Sequence, residues 1–274
     1  MRDRSSHRAG VLRYGEEAGA RVEDQLAAEE PLEIRVGDVP LTVMMRTPGH
    51  ERELALGFLF GEGIIRARAE VAGIRVLPNG EHPDLENVLE VELTGTAPGV
   101  DQRWQRNFLS ASSCGLCGVS TIEAIHQAAP PLSDDEVRLD PEVIYGLDAR
   151  LRAEQAIFAR TGGLHAAGLF TLDGKPVVVR EDIGRHNAVD KVIGHALDRE
   201  LIPLERHILM VSGRTSFEIV QKTLQARIPV LVAVSAPSSL ARDLAQASNL
   251  TLIGFLRGRS LNVYSGRQRL RTGK

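Results

Sequence analysis

The clearest evidence for the fold lies in residues 207–234, which read HILMVSGRTSFEIVQKTLQARIPVLVAV. Two short apolar runs, 207–211 and 229–234, have the length and composition of buried strands. The residues between them, 216–226, place apolar side chains at helical spacing after a serine that suits a helix N-cap. Because a strand, a helix and a second strand in this order form a parallel crossover, the segment predicts one β-α-β unit.

The alternation of strands and helices continues on both sides of this unit. The elements expected there are helices over 141–160, 187–200 and 238–247, and strands over 164–172, 175–180 and 250–256. The dipeptide Asp173-Gly174 joins the first two of these strands and is a strong hairpin signal. Together these elements predict a largely parallel sheet, covered by helices on both faces, in a domain over 141–274.

The N-terminal half has a different pattern, with strands in the majority. It predicts a disordered arm at 1–20, a small β-rich domain at 21–110, and a segment at 111–140 with a thiol loop, a short helix and a linker. The expected elements are a hairpin of strands 32–36 and 41–45, a helix within PGHERELALGFLFGEGII (48–65), and strands 73–77 and 87–93.

The composition is that of a globular protein with a full core, because 43% of the 274 residues are hydrophobic and 25% are charged. The net charge of -3 produces no strong field that would favour nucleic acid or anionic lipid. The N-terminus lacks the apolar segment of a signal peptide, and no window approaches the ~18 apolar residues of a membrane helix. We therefore expect a cytoplasmic protein with no nucleic-acid or membrane partner.

Both cysteines of the chain, Cys114 and Cys117, lie in one stretch, SASSCGLCGVST (110–121). Cytoplasmic thiols are normally reduced, so a structural disulfide is disfavoured, and a zinc site lacks its second ligand pair. Three interpretations stay open: a buried apolar pair, a thioredoxin-type dithiol, and a loop that carries sulfur as a persulfide. The Ser- and Gly-rich sequence argues against burial, and the preceding WQRNFLSASS is not the apolar strand expected before a thioredoxin dithiol.

Polar residues follow the predicted strands at the ends where an open α/β sheet binds its ligands. Small hydroxyl and glycine residues there expose helix-capping N–H groups, and arginines add forked donors for phosphate. Each serine or threonine taken alone is an ordinary N-cap. Together the loops favour a nucleotide or pyrophosphate ligand, and the relevant segments are 181–187, 212–216, 235–239 and 255–260, with Arg214, Arg257 and Arg259.

Charged residues in the first of these loops have simpler interpretations. His186 and Asp190 are four residues apart on a predicted helix, which favours a local pair. Glu181 and Asp182 are expected either to bind a cation or to hold Arg185. These residues, with His165, are predicted to line a site rather than to catalyse a reaction.

The chain resembles the formate dehydrogenase accessory sulfurtransferase family, FdhD/NarQ. The resemblance is nearly full-length and is far more specific than the C-x-x-C spacing. It rests on PGHERELALGFLFGEGII, SSCGLCG, TGGLHAAGLF, EDIGRHNAVDKVIG, SGRTSFEIVQK, APSSLA and IGFLRGRSLNVYS.

The resemblance implies a sulfurtransferase that serves molybdenum-dependent formate dehydrogenase. A cysteine desulfurase would load sulfur onto the thiol loop as a persulfide, and the protein would pass it to the bis(molybdopterin guanine dinucleotide) molybdenum cofactor. Cys114 would carry the persulfide and Cys117 would be its partner. The guanine dinucleotide part would contact the C-terminal segment Phe255, Leu256, Arg257, Gly258, Arg259 and Ser260. Ser212 and Arg214, from the strand-end loops, complete the predicted cofactor-binding residues.

The resemblance also implies an α/β fold: a cytidine-deaminase-like three-layer α/β/α domain with a smaller β-rich N-terminal domain, assembled as a homodimer. His165 stands where a deaminase carries a zinc histidine, yet no P-C-x-x-C follows, so we expect neither structural metal nor deamination. Two other functions remain open: a chaperone for the molybdenum cofactor without sulfur transfer, and a C-x-x-C dithiol oxidoreductase.

Overall fold

The computed structural model describes residues 4–15, 19–77, 87–95, 131–133 and 136–271. Its strands are β1 (Ser6–Arg13), β2 (Ala20–Ala27), β3 (Glu30–Val36), β4 (Val39–Arg46), β5 (Val71–Leu77), β6 (Val88–Leu93), β7 (His165–Thr171), β8 (Pro176–Asp182), β9 (His207–Val211), β10 (Val230–Ala233), β11 (Thr251–Arg257) and β12 (Ser260–Ser265). Its helices are α1 (Glu51–Gly61), α2 (Pro141–Tyr145), α3 (Leu147–Ala153), α4 (Ala156–Thr161), α5 (Arg185–Asp198), α6 (Phe217–Gln225) and α7 (Ser239–Ala247). Short 3-10 turns occupy Arg68–Glu70 and Arg267–Arg269.

The predicted β-α-β-α-β alternation forms the centre of a six-stranded sheet with the order β12-β11-β10-β9-β7-β8. Strands β9, β10 and β11 are parallel, as predicted. Strands β7 and β12 run antiparallel to their neighbours, so the sheet is mixed rather than largely parallel. The physical reason is that β7 and β12 each belong to a hairpin, and a tight turn reverses the chain.

Helices cover both faces of this sheet. Leu209 and Val211 of β9 face one side with α5, α6 and α7, whereas Ile208 and Met210 face the other side with α2 and α3. Successive side chains of a strand alternate between faces, so one short strand supplies both cores. The three-layer arrangement agrees with the expectation, and the likeness to cytidine deaminases stays a prediction.

The N-terminal half forms a four-stranded sheet with the order β4-β3-β6-β5. The predicted hairpin of β3 and β4, the helix α1 and the strands β5 and β6 are confirmed. Helix α1 packs against α5 of the larger sheet, and one continuous apolar cluster joins Leu32 and Ile34 of β3 to Val189 and Val192 of α5. This packing fixes the small sheet against the helices of the large one.

Residues 6–13 differ from the expectation of a disordered arm. They form β1, which pairs with β2 in a continuous antiparallel register from Ser6↔Ala27 to Arg13↔Ala20. The ribbon is held by backbone hydrogen bonds, which do not depend on the type of side chain. A polar composition therefore does not reveal it. The far end of β2 packs against α4, so the ribbon is attached to the folded body.

The helix expected over 141–160 is three short helices instead. Gly146 ends α2 and precedes α3, and Gln155 separates α3 from α4. A glycine inside a helix costs about 1 kcal/mol relative to alanine, which weakens a continuous helix here. The break allows Ile144, Leu147 and Leu151 all to reach the sheet, where each is at most 1% exposed.

Among the residues that the structure describes, no helix has the length and apolar character needed to span a membrane.

Candidate functional site

The carboxyl ends of four strands meet at one edge of the large sheet. Strands β8 and β9 are both antiparallel to β7, and β9, β10 and β11 are parallel, so β8 to β11 all run in one direction. The start of β7, His165, lies at the same edge because β7 runs the opposite way. We call this the carboxyl-end edge, and it consists of His165 with residues 183–184, 212–216, 234–238 and 255–260. The sequence-based expectation that these loops meet is confirmed.

Backbone hydrogen bonds tie three of the loops together. The N–H of Thr215 donates to the carbonyl of Ala236 (3.1 Å), and the N–H of Ser238 donates back to the carbonyl of Thr215 (2.9 Å). The N–H of Phe255 donates to the carbonyl of Ser235 (3.3 Å). These bonds make the edge a preorganised surface rather than a set of independent loops.

The serine hydroxyls of the edge serve the fold first. Ser238 accepts from the N–H of Ala241 (3.2 Å) as the N-cap of α7, and Ser216 occupies the same position before α6. The hydroxyl of Ser212 accepts from the N–H of Ala166 (2.9 Å), which joins two strands. The interpretation of single serines as ordinary caps therefore holds for Ser216 and Ser238. The Ser212 hydroxyl, which already accepts one hydrogen bond, can still donate its hydrogen and accept a second bond.

The segment 255–260, expected as a loop, is the end of β11, a turn and the start of β12. Phe255 has a left-handed backbone, φ 54°, and the residue is 40% exposed at the edge. A bulky residue in that region is an outlier that the surrounding structure must hold in place, and such outliers concentrate at functional sites. Leu256 is 0% exposed and packs in the core, so its side chain is not available to a ligand.

The remaining members of this segment are exposed: Arg257, Gly258, Arg259 and Ser260. Arg259 is bound by both carboxylate oxygens of Glu142, at 2.6 Å for Nη1 to Oε2, and lies over the ring of Tyr145, 5.1 Å from its centre. Within the described residues, Arg257 has no ion-pair partner. Of the two arginines, Arg257 is therefore the one whose charge is uncompensated.

Glu181 and Asp182 do not hold Arg185, and neither is left to bind a cation. The carboxylate of Glu181 accepts from the N–H groups of Ile157 (2.9 Å) and Phe158 (2.6 Å) at the start of α4. Asp182 pairs with Lys191, 2.7 Å away, and both side chains are at most 1% exposed. The acidic residues of this loop are structural, and the described residues contain no cluster of three His, Cys, Asp or Glu that fits a metal ion.

The predicted pairing of His186 with Asp190 is wrong. Nε2 of His186 lies 2.9 Å from the hydroxyl of Ser216, the N-cap of α6, and 3.4 Å from a carboxylate oxygen of Glu218 in the first turn of α6. Asp190 pairs with Lys222 instead, at 2.7 Å. Desolvation lowers the pKa of His186 to about 3, so the imidazole is neutral under the edge. The partners of His186 and Asp190 come from α6 and its N-cap, so residue spacing along α5 could not predict them.

Lys222 is nearly buried and is surrounded by more carboxylates than it can neutralise. Burial raises the pKa of Glu62 to about 7 against the opposing charge of Lys222, and the neighbouring Glu218 and Asp190 act in the same direction as burial. Desolvation likewise raises the pKa of Asp190 to about 6. Protons are therefore held in this cluster at pH values where an exposed carboxyl group is ionised.

Glu62→Gln is expected to stabilise the protein at pH 8 by roughly 1 to 2 kcal/mol, less than the full pKa shift implies because Glu62 is partly solvated. The pKa of Glu62 is raised from 4.5 in the unfolded chain to about 7 in the folded protein, so the folded state holds the proton more tightly. The wild type therefore loses stability as the pH rises from about 4.5 to 7, and a neutral glutamine does not. Urea unfolding at pH 5, 6.5 and 8 should show the advantage growing with pH. An advantage that is constant with pH, or that appears equally in exposed Glu29→Gln, contradicts the assignment.

The two predicted thiols, Cys114 and Cys117, lie outside the described residues. Arg185, Gly213 and Thr215 lie in the predicted segments 181–187 and 212–216, but the sequence analysis did not include them among the cofactor-binding residues. Gly213 lies against His165, since a Cβ on Gly213 would meet Nδ1 of His165 at 3.3 Å and Cβ of Arg185 at 3.6 Å. The available signal was their position in loops that follow strands.

Comparisons with known proteins identify relatives over nearly the whole chain. A sequence profile described as the FdhD/NarQ family matches residues 27–271. Proteins named "Sulfur carrier protein FdhD" from Streptomyces avermitilis and Mycobacterium tuberculosis are each 51% identical, over 97% and 90% of this chain and 96% and 92% of theirs. The protein of that name from Thermoplasma volcanium is 44% identical over 97% of this chain and 96% of its own. A crystal structure of a candidate formate dehydrogenase accessory protein from Desulfotalea psychrophila has the same fold, with a TM-score of 0.77, 24% identity, and coverage of 97% of this chain and 100% of that one.

Proposed function

Since this chain belongs to the FdhD/NarQ family, we propose that it is a sulfur carrier in the maturation of formate dehydrogenase. The names of its relatives, at about half identity over nearly the whole length, support this role. The pairing of both cysteines of the chain in one Gly-rich segment supports it independently, because a carrier thiol must be reachable by a donor and an acceptor.

The proposed chemistry starts with a thiolate at Cys114. It attacks the outer sulfur of a persulfide on a cysteine desulfurase, the S–S bond of that persulfide breaks, and the desulfurase cysteine leaves as a thiolate. Cys114 then carries the sulfane sulfur as a persulfide. In the transfer, the S–S bond of that persulfide breaks and Cys114 leaves as a thiolate; the sulfur becomes a sulfide ligand by taking two electrons from the reduced molybdenum of the acceptor. Cys117 assists as the neighbouring thiol. The acceptor is the bis(molybdopterin guanine dinucleotide) molybdenum cofactor, which here is a substrate rather than a resident group.

The carboxyl-end edge has the chemistry to hold such a substrate. The exposed ring of Phe255 offers a face for stacking a purine base, as aromatic side chains commonly do for bases. Arg214 and Arg257 are exposed and without ion-pair partners among the described residues, and forked guanidinium groups suit phosphate oxygens. Ser212, Gly258, Arg259 and Ser260 line the same edge, while Leu256 contributes backbone only. A homodimer in the cytoplasm is part of the same proposal.

Mass spectrometry tests the sulfur-carrying step. After incubation with a desulfurase and cysteine, the peptide that contains residues 110–121 should gain the mass of one sulfur atom in the wild type and in Cys117→Ala, but not in Cys114→Ala. A loss of two hydrogens instead, which requires both thiols, would favour the dithiol oxidoreductase. An unchanged peptide in the wild type contradicts a carrier role and leaves the cofactor chaperone.

The chaperone alternative is distinguished in a strain that lacks its own accessory protein. A chaperone without sulfur chemistry predicts that Cys114→Ala restores formate dehydrogenase activity and that Arg257→Ala does not. A sulfur carrier predicts that Cys114→Ala fails. Immunoblots must show equal amounts of each variant.

A further inference from the structure

The β1–β2 ribbon belongs to neither of the two larger sheets. It is a two-stranded sheet of its own, paired over its whole length from Ser6↔Ala27 to Arg13↔Ala20. Among the described helices and strands, only α4 packs extensively against the ribbon, and it does so through β2. Eight residues of strand span about 27 Å, so the ribbon is an arm whose tip at Arg13 and Ala20 lies well away from its base at Ser6 and Ala27.

The base of the arm is fixed to the carboxyl-end edge. The N–H of Ala28, directly after β2, donates to the carbonyl of Ser5 (2.9 Å). The hydroxyl of Thr47 donates to the carbonyl of Ala28 (3.0 Å) and accepts from the N–H of Ile183 (3.2 Å), which belongs to the edge. Thr47 is buried, so this junction is part of the packed structure. A protein that binds at the edge therefore comes within reach of the ribbon.

The tip of the arm exposes large apolar side chains. Leu12 is 52% exposed and Tyr14 is 76% exposed. The ring of Tyr14 lies against Gly19, because a Cβ on Gly19 would stand 2.9 Å from Cε1 of that ring. An isolated two-stranded ribbon is marginally stable in water, and exposed tyrosine is typical of the residues that dominate protein interfaces. We therefore expect another molecule to cover this tip.

The charges of the arm favour a protein rather than a lipid surface or a nucleic acid. Anionic lipids and phosphate backbones attract clusters of basic residues. Residues 6–27 have no such excess, since their arginines are outnumbered by carboxylates: Arg8, Arg13 and Arg21 against Glu16, Glu17, Glu23 and Asp24.

The area of the arm is too small for an interface on its own. Two strands about 27 Å long and roughly 10 Å wide present a face of roughly 270 Å². A stable protein–protein interface buries about 800 Å² on each partner. The ribbon therefore fits a partner that makes its main contact elsewhere, and the surface that adjoins the base of the ribbon is the carboxyl-end edge.

We propose that the β1–β2 ribbon is a docking arm for the acceptor protein, the cofactor-free formate dehydrogenase, with Leu12 and Tyr14 as its contact residues. The inference rests on the proposed function, because it names the partner that approaches the carboxyl-end edge. The partner would receive the tip of the arm in an apolar groove while another part of its surface faces the edge.

The extent of the family profile supports this assignment. The profile begins at residue 27, which is the last residue of β2, so nearly all of the ribbon lies outside the part that the profile describes. A docking arm suits such a position, because its surface has to match one particular partner rather than the chemistry that a family shares.

Biolayer interferometry between the full chain and purified cofactor-free formate dehydrogenase tests the arm. The double variant Leu12→Ser with Tyr14→Ser should bind at least 10-fold more weakly than the wild type, because the apolar contact at the tip is lost. Val76→Ser is the matched control, since Val76 on β5 is also 52% exposed, and its affinity should equal that of the wild type. Should the double variant melt at a lower temperature than the wild type, Tyr14→Ser alone serves, because Tyr14 lies beyond the end of β1.

The outcomes separate the arm from the function on which it rests. The peptide with residues 110–121 should gain one sulfur atom from the desulfurase in the double variant as in the wild type. Wild-type affinity for the dehydrogenase in the double variant overturns the arm and leaves the sulfur carrier intact. Loss of sulfur loading in the double variant would instead make the desulfurase the partner of the ribbon. A change from dimer to monomer in light scattering would make that partner a second copy of the chain, and either result overturns the proposal.

Discussion

Gly194→Ala is expected to destabilise the protein by about 3 kcal/mol or more, at or beyond the upper end of the usual cost of overpacking. Gly194 lies on α5 where it crosses α1, and a Cβ there would stand 1.8 Å from the carbonyl oxygen of Glu53 and 2.8 Å from the backbone nitrogen of Gly57. The contacting atoms belong to the backbone of α1, so no side-chain rotation can relieve the clash. The two helices would have to separate, and this would open the core shared by the small and the large sheet.

The sign of the effect makes the test decisive. In an exposed helix, replacing glycine by alanine stabilises by roughly 1 kcal/mol, because alanine has the higher helix propensity. Urea unfolding should show a large loss for Gly194→Ala, and the same for Gly57→Ala, whose Cβ would lie 1.9 Å from the carbonyl oxygen of Asp190. Gly10→Ala is the control, since nothing lies within 4 Å of that position. An unchanged midpoint for Gly194→Ala would show that the helices are not in backbone contact.

Asp182→Ala is expected to cost about 3 to 5 kcal/mol, the range for removing one partner of a buried ion pair. Lys191 is 1% exposed, and its ammonium group would lose its only carboxylate within the described residues while keeping the carbonyl of Thr47 at 2.9 Å. The change would also leave the N–H groups of Thr47 and Gly184 without the acceptor that they share, at 3.2 and 2.8 Å. These groups link the small sheet to the loop that starts α5, so the loss would affect both parts of the molecule.

A double-mutant cycle tests the physical reason for that cost. Lys191→Met with Asp182→Ala removes the uncompensated charge, so the pair of changes should cost clearly less than the sum of the two single changes. Lys175→Met is the control, because Lys175 pairs with Asp173 on the surface and should give no measurable change in the urea midpoint. Additive costs in the cycle, or a loss for Asp182→Ala no larger than for the control, would contradict a buried charge pair.

The elements that the sequence predicted correctly share one property: their signals are local. The alternating runs of β9, β10 and β11, the serine caps of α6 and α7 and the Asp173-Gly174 turn each act within a few residues. The β1–β2 ribbon was not predicted, since its stability comes from backbone pairing rather than apolar periodicity. The break at Gly146 was missed because it depends on which side chains must reach the sheet.

At the candidate site, too, local signals were predictable from the sequence and tertiary contacts were not. The order of strands and helices was enough to predict that the loops meet at one edge, because parallel strands place their carboxyl ends together. It could not predict that Glu181 would cap α4, that Asp190 would pair with Lys222, or that Glu142 would occupy Arg259. Each of these partners comes from an element distant in the chain. Among the residues that the structure describes, the arginines at the edge that lack an ion-pair partner are those that no such element reaches.

Residue patterns along the chain therefore suffice for the α/β class, the meeting of the strand-end loops at one edge and the family of this protein, since periodicity, capping and turn chemistry act between near neighbours. Which charges stay uncompensated, and hence where an anion can bind, follows only from the packed molecule. Burial weakens the solvation of every charged group, and each group is then stabilised by whichever opposite charge the packing brings within a few ångströms.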